Sequence, residues 1–102
     1  MLITKEELER ELVNRCGSVA VEKLRAARVV LVGLGGLGSN IAILLSRMGV
    51  GHLHLIDFDR VDISNLHRQQ YRANQIGYYK TDALKENLQE ISPYLDIVTH
   101  TV

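Results

Sequence analysis

Residues 28–39, RVVLVGLGGLGS, constrain the fold of this chain more than any other stretch of its sequence. The segment from Arg28 to Gly33 is apolar and β-branched on successive residues, which predicts a strand buried on both faces. Glycines follow with the spacing G-x-G-x-x-G, and apolar side chains then recur at helical spacing at Ile41, Leu44, Leu45 and Met48. A glycine loop between a strand and a helix predicts a nucleotide-binding turn.

The glycines of this loop have separate expected tasks. Gly33 allows the tight turn, Gly35 lets a phosphate approach the backbone, and Gly38 lets the helix pack closely against the strand. Asp57 ends the next predicted strand, where its carboxylate can accept hydrogen bonds from ribose hydroxyls. The alternatives are glycines that serve only a tight turn and an aspartate that is simply solvated. With a nucleotide bound, the pattern fits a dehydrogenase and a nucleotide-dependent transferase equally well.

The rest of the chain predicts alternating helices and strands. Thr4 and Glu7 form a capping-box pattern ahead of a first helix, Gly17 ends that helix, and Ser18 is expected to cap a second one. Residues 52–57 alternate as a strand, residues 82–91 place apolar side chains on one helical face, and residues 96–102 form a third strand. Right-handed crossovers then join the strands into a parallel sheet.

The predicted fold class is therefore α/β, a Rossmann-like parallel sheet of three strands that is half of a doubly wound fold. We expect residues 1–27 to form an N-terminal helical segment and residues 28–102 a nucleotide-binding half-domain. The first strand of a doubly wound sheet has neighbours on both sides. Because nothing after Val102 supplies the second neighbour, we expect the half-domain to be truncated at its C-terminal end.

Composition excludes several classes of partner. The 12 acidic and 12 basic residues balance, which gives no general reason to bind nucleic acid or an anionic membrane. The single cysteine, Cys16, excludes an internal disulfide and a multi-cysteine zinc site, and we expect it to be a small buried hydrophobe. The N-terminus lacks the apolar run of a secretory signal, so a cytoplasmic location is expected.

A long polar connection follows the second predicted strand. Its residues help to decide between a dehydrogenase and a nucleotide-dependent transferase. Within DFDRVDISNLHRQQYRANQIGYYK, Asn65 and Arg68 are three residues apart, so one helical turn would place them on a common side. Arg68 offers a fork of donors suited to phosphate, and Lys80 offers a second cation. Two cations near the phosphates exceed what NAD binding requires and favour a reaction at phosphorus.

The motifs GLGGLGS, DFD, SNLHRQ and GYYK, in this order, are similar to the ATP-binding half of the ThiF/MoeB/HesA family, kin of the ubiquitin-activating enzymes. The resemblance covers about residues 28–102 and looks closest to the bacterial thiamine-pathway ThiF-like adenylyltransferases. It implies that magnesium-ATP is used to adenylate the C-terminal glycine carboxylate of a ubiquitin-like sulfur-carrier protein, with release of pyrophosphate. It also implies a homodimer.

The resemblance implies roles for individual residues. Arg68, Asn65 and Lys80 would contact the phosphates and act in catalysis, and Asp57 would hold the ribose. The remaining nucleotide-binding residues would be Gly33, Gly35, Gly36, Gly38, Asp59, Ser64 and Gln69, with Ser64 capping the short SNL turn. Arg15 is a candidate for the arginine that the family contributes from its N-terminal region, against the alternative of a solvated arginine near a helix end.

The resemblance also implies what the chain lacks. The family's magnesium-binding aspartate lies beyond the matching segment, so no metal ligand is expected within this chain. We therefore expect the 102 residues to bind nucleotide weakly and not to complete the reaction alone. Two other functions stay open: an NAD-dependent oxidoreductase, and a non-catalytic fragment that dimerises through the free edge of its first strand. His52 and His54 are expected to pack or meet solvent rather than bind a metal.

Overall fold

The computed structural model describes residues 3–102, which form one parallel sheet with helices on one of its faces. The elements are α1 (Lys5–Cys16), α2 (Ser18–Ala26), β1 (Arg28–Val32), α3 (Gly36–Met48), β2 (His52–Ile56), α4 (Lys80–Ile91) and β3 (Asp96–His100). Two short 3₁₀ turns, Ile63–Asn65 and Ala73–Gln75, lie in the connection between β2 and α4. The strand order is β1-β2-β3, which confirms the predicted α/β class and its three-stranded parallel sheet.

The N-terminal helical segment forms for the reasons that its sequence predicts, with one exception. The hydroxyl of Thr4 accepts the N–H of Glu7 at 3.0 Å, and Gly17 ends α1 with a φ of 85°. Ser18 does not cap α2 as expected. It is the first residue of that helix, and Gly17 is the N-cap residue without a side-chain hydrogen bond. Cys16, expected to be buried, is exposed at the end of α1.

The hydrophobic core lies between the sheet and the two crossover helices, α3 and α4. Leu53 and Leu55 of β2 are fully buried there, as are Leu84 and Leu88 of α4. Tyr71 and Val61, from the long connection before α4, belong to the same cluster. The connection is therefore packed onto the core.

β1 is not buried on both faces as its sequence predicted. Val30 and Val32 are 55% and 79% exposed, although Val29 and Leu31 on the opposite face pack against the core. The register aligns Val30 with His54 and Val98 on the uncovered face, and no element among residues 3–102 covers it. α3 and α4 pack on the same side of the sheet, so they bury only the side chains on one face of β1. The apolar side chains on its other face stay exposed.

α3 packs on the sheet through small side chains. Ser39, Ala42 and Ser46 are its buried residues, whereas Leu44 and Met48 are 60% and 54% exposed. Close approach explains this choice, since a Cβ added to Gly38 would lie 1.9 Å from the carbonyl oxygen of Gly33. The apolar spacing in the sequence therefore located the helix but not its inner face.

The histidines of the uncovered sheet face pair with side chains on the neighbouring strand. His52 Nδ1 lies 3.1 Å from a carboxylate oxygen of Asp96, and His54 Nδ1 lies 3.3 Å from His100 Nε2. Within residues 3–102 no group of three or more His, Cys, Asp or Glu side chains is arranged to hold a metal ion. In the same range, no helix combines the length and apolarity needed to cross a membrane.

Candidate functional site

The glycine loop connects β1 to α3 at the carboxyl end of the sheet. Gly33 has a φ of 92°, a conformation that favours glycine, and Gly35 is the N-cap residue of α3 without a side-chain cap. The first amides of α3 consequently have no side-chain partner from the cap. Free N–H groups at a helix N-terminus attract an anion, because the helix dipole adds to their hydrogen-bonding capacity.

Leu34 is held from both sides of its peptide backbone. Its N–H donates to Asp57 Oδ2 at 2.7 Å, and its carbonyl accepts the Tyr71 hydroxyl at 2.6 Å. Its own side chain is fully buried. Burial, and secondarily the charge of Asp57, raises the pKa of Tyr71, so this hydroxyl keeps the proton that it donates. Two hydrogen bonds from other parts of the chain therefore fix the backbone of Leu34 within the loop.

Asp57 uses both carboxylate oxygens on backbone amides. In addition to Leu34, it accepts the N–H of Asp59 through Oδ1 at 2.7 Å. Each oxygen retains a second lone pair, so contact with ribose hydroxyls is compatible with these bonds. The sequence predicted the ligand-facing role but not the second one, in which Asp57 ties the ends of β1 and β2 together.

Arg68 and Gln69 lie over the glycine loop, although they follow it by about thirty residues. Arg68 Nη1 is 3.2 Å from the position that a Cβ would take at Gly36, and Gln69 Nε2 is 3.9 Å from the corresponding position at Gly35. Among residues 3–102, no carboxylate lies within ion-pair distance of the Arg68 guanidinium. The Arg68 guanidinium, which forms no ion pair with the described residues, thus lies beside the first backbone amides of α3.

Two polar residues of the first turn of α3 hold the segment that carries Arg68. The hydroxyl of Ser39 accepts the N–H of Gln70 at 3.2 Å, and Asn40 Oδ1 accepts from Gln70 Nε2 at 2.7 Å. Asn40 Nδ2 donates to the carbonyl of Arg68 at 3.2 Å. Neither residue was predicted from the sequence. The signal for them is the polar Ser39–Asn40 pair directly after the glycine loop, where an amphipathic helix would place apolar side chains on its inner face.

Asn65 and Ser64 lie in the first 3₁₀ turn, and the cap there is not the predicted one. The N-cap residue is Asp62, whose N–H donates to Asn65 Oδ1 at 2.9 Å. Ser64 donates its hydroxyl to Asp62 Oδ2 at 2.7 Å instead of capping the turn itself, and this hydrogen bond lowers the pKa of Asp62. Asn65 therefore commits its oxygen to the backbone, which leaves its Nδ2 as the group that can meet a phosphate.

Lys80 begins α4 and is 7% exposed. Its N–H donates to the carbonyl of Asp59 at 2.9 Å, which ties the start of α4 to the DFD segment. Within the described residues, no carboxylate lies within ion-pair distance of its ammonium group. Arg15, by contrast, bonds to Glu11 of its own helix at 3.4 Å, and both side chains are largely exposed.

The residues present fit the phosphates of a nucleotide better than they fit a magnesium ion. The open helix N-terminus and the unpaired Arg68 side chain suit an anion. Magnesium requires several oxygen ligands in near-octahedral geometry. Asp57, the acid nearest the loop, already holds two amides. The chemistry of these residues therefore suits an anion better than a divalent cation.

The fold and this site define a Rossmann-like α/β protein with a glycine loop between β1 and α3. Residues 8–102 match the ThiF family, and the chain belongs to that family. This membership confirms the family that the four sequence motifs indicated.

Curated relatives include an adenylyltransferase and sulfurtransferase uba4 of Aspergillus terreus, which is 46% identical over 90 residues. The match covers 87% of this chain and 19% of that protein. The ubiquitin-like modifier-activating enzyme 5 of Caenorhabditis elegans is 40% identical over 79 residues, which cover 78% of this chain and 19% of that protein. The chain thus spans about a fifth of the length of these relatives.

Solved structures with the same fold include nucleotide complexes. The E. coli tRNA N6-threonylcarbamoyladenosine dehydratase TcdA, in complex with ATP, superposes with a TM-score of 0.89 at 27% identity over 100% of this chain and 43% of that chain. E. coli MccB, in a structure with AMPCPP and MccA, gives a TM-score of 0.82 at 29% identity over 84% of this chain and 26% of that chain. These similarities confirm the predicted Rossmann-like arrangement.

Proposed function

We propose that this chain supplies the ATP-binding part of an adenylyltransferase that activates the C-terminal glycine carboxylate of a ubiquitin-like sulfur-carrier protein. Relatives named as adenylyltransferase and as ubiquitin-like modifier-activating enzyme support the reaction and the kind of partner. A structural neighbour in complex with ATP supports the nucleotide.

The observation that carries the proposal is the position of Arg68 over Gly36. Its Nη1 lies 3.2 Å from the place of a Cβ at that glycine, and no carboxylate among residues 3–102 neutralises it. A nicotinamide dinucleotide needs the glycine loop and Asp57 but gains little from an additional cation there. Transfer of a nucleotidyl group develops negative charge on phosphate oxygens, which such a cation stabilises.

In the proposed reaction, an oxygen of the carrier carboxylate attacks the α-phosphorus of ATP. The new bond gives an acyl-adenylate, and the bond from the α-phosphorus to the bridging oxygen breaks with release of pyrophosphate. Arg68, Asn65 Nδ2 and Lys80 bind phosphate oxygens, and the amides of the glycine loop hold the anion in place. Magnesium, when bound with ATP, neutralises phosphate charge, and its main protein ligand is proposed to lie outside these residues.

Four finer assignments belong to the same proposal. The closeness to thiamine-pathway enzymes rests on the sequence motifs, because the relatives carry other names. The homodimer and the contribution of Arg15 to a partner's site are family expectations, and the cytoplasmic location is the expectation drawn from the N-terminal sequence. The chain alone is expected to bind ATP weakly and to lack adenylation activity.

Calorimetric titration with ATP and with NAD, in the presence of magnesium, tests the proposal. We expect ATP to bind in preference to NAD, and Arg68→Ala to weaken ATP binding about tenfold or more, since a charge-assisted hydrogen bond is lost. Arg47→Ala is the matched control. Arg47 lies in the last turn of α3, whereas Arg68 lies near the first turn of that helix. NAD binding that is indifferent to Arg68→Ala would instead favour an oxidoreductase.

A further inference from the structure

We propose that Asn40 is a positioning residue that holds Arg68 over the glycine loop before a nucleotide binds. Its importance for nucleotide binding rests on the proposed function, in which Arg68 meets a phosphate. The tether itself is a property of the ligand-free chain and can be tested without a ligand.

The side-chain amide of Asn40 is hydrogen-bonded to both Gly36 and Arg68, the two residues that meet over the glycine loop. Its Nδ2 donates to the carbonyl of Gly36 in its own helix and to the carbonyl of Arg68 at 3.2 Å. Its Oδ1 accepts from Gln70 Nε2 at 2.7 Å. The orientation of the amide follows from these partners, because two carbonyl oxygens require the nitrogen and a donor requires the oxygen.

A purely local role does not account for these bonds. An asparagine in a helix commonly bonds back to the carbonyl four residues earlier, as the bond to Gly36 does. The bonds to Arg68 and Gln70 cross 28 and 30 residues of sequence. Ser39 adds a further link of the same kind, through its hydroxyl to the N–H of Gln70.

The segment around Arg68 is also held by the Gln69 N–H on the carbonyl of Asn65 at 2.9 Å and by Asn87 Nδ2 on the carbonyl of Gln70 at 2.8 Å. The local bonding of Arg68 itself, however, is weak. The Arg68 N–H reaches the carbonyl of Asn65 at 3.4 Å, a long turn bond, and its side chain is exposed. An exposed arginine in an irregular segment loses conformational freedom when it meets a ligand. Bonds that fix its backbone beforehand reduce that loss, so Asn40 acts on the ligand through Arg68 without touching it.

A double-mutant cycle tests this indirect action. Asn40→Ala is expected to weaken ATP binding about three- to tenfold in the parent chain, which corresponds to the loss of one or two hydrogen bonds, and to have little effect in the Arg68→Ala background. Asn14→Ala, an asparagine of α1, is the matched control and should leave the affinity unchanged. Equal weakening in both backgrounds would show that Asn40 does not act through Arg68 and would overturn the proposal.

Hydrogen exchange of the ligand-free protein separates the tether from the proposed function. Asn40→Ala should accelerate exchange of the amides of residues 68–70 while the amides of β2 and α4 keep their protection. Unchanged exchange at residues 68–70 would overturn the tether, whether or not ATP binds. If the parent chain bound no ATP, the proposed function would fail, and accelerated exchange would still support the tether.

Discussion

Asp57 and Leu34 are joined by a 2.7 Å hydrogen bond from a loop amide to a strand-end carboxylate, across 23 residues of sequence. The same carboxylate accepts the N–H of Asp59 through its other oxygen. The acid that the sequence predicts to hold a ribose is thus also hydrogen-bonded to the backbone of the glycine loop. Substitutions of Asp57 therefore affect the stability of the fold as well as ligand binding.

Replacing Asp57 with alanine is expected to lower the free energy of unfolding by about 3 kcal/mol, because two amides lose a charged acceptor. Urea denaturation followed by circular dichroism measures this loss. Asp57→Asn keeps one acceptor oxygen but turns its NH2 donor toward the other backbone N–H, so it should cost at least half as much. Equal stability of the alanine variant and the parent would show that the two bonds are not formed in solution.

Tyr71→Phe is expected to cost about 1–2 kcal/mol at neutral pH, since the buried carbonyl of Leu34 loses its donor. The stability of the parent should also depend on pH in a defined range. Burial raises the pKa of Tyr71 in the folded state, so above about pH 10 the unfolded chain loses this proton first.

The contribution of Tyr71 is therefore fully present below about pH 10 and is lost as the pH rises further. Urea denaturation of the parent and of Tyr71→Phe between pH 8 and about pH 11 isolates it, because the other tyrosines titrate in both proteins. The difference in stability between the two should shrink above about pH 10. A constant difference would contradict the burial of this hydroxyl.

Gly38 and Gly36 should respond differently to alanine although both lie in the glycine loop region. A Cβ at Gly38 would lie 1.9 Å from the backbone oxygen of Gly33, so Gly38→Ala should cost about 3 kcal/mol or more. At Gly36 the neighbour is the flexible end of Arg68, at 3.2 Å. Gly36→Ala should stay within about 1 kcal/mol of the parent but weaken ATP binding by displacing Arg68.

Thermal denaturation and ATP titration of the two variants separate these effects. A Gly36→Ala variant that binds ATP as well as the parent would show that Arg68 does not need its place over this glycine.

Two buried glutamines form a second matched pair. Gln75 is 1% exposed and fully bonded: it accepts from the Arg72 N–H and from Asn87, and it donates to the Ala83 carbonyl and to Asn87. Gln75→Met should therefore cost about 2–4 kcal/mol, because several polar groups lose partners together.

Gln69 is 6% exposed, and its Oε1 has no hydrogen-bond partner within the described structure. Gln69→Met should change stability by less than about 1 kcal/mol, since an unsatisfied buried carbonyl contributes nothing that is lost. Chemical denaturation of both variants under one condition makes the comparison. A larger cost at Gln69 than at Gln75 would contradict the hydrogen bonding described for both.

Much of the fold followed from local sequence signals. Thr4 and Gly17 lie at the start and at the end of α1, as the sequence predicted, because capping depends on a few adjacent residues. The glycine loop lies between a strand and a helix for the same reason. Burial was harder to predict, since it depends on which face of β1 and α3 another element covers. Val32 and Leu44 look like core residues in the sequence and are exposed in the structure.

The candidate site shows the same limit. The sequence indicated Asp57 and Arg68 by their chemical type, and the structure places both at the glycine loop. It did not indicate Asn40, because its partners Arg68 and Gln70 lie 28 and 30 residues away along the chain. Long-range hydrogen bonds of this kind leave no periodic pattern in the sequence.

The strand order β1-β2-β3 has a consequence for the synthesis of the chain. Within residues 3–102, β2 and β3 each pair with the strand that precedes them in the sequence, so each has this partner available when it is synthesised. Emerging from the ribosome, the chain can therefore form the β1–β2 pair with its glycine loop, and then add the Arg68 segment, before β3 exists. The glycine loop and the two strands beside it are therefore synthesised before the last strand of the sheet.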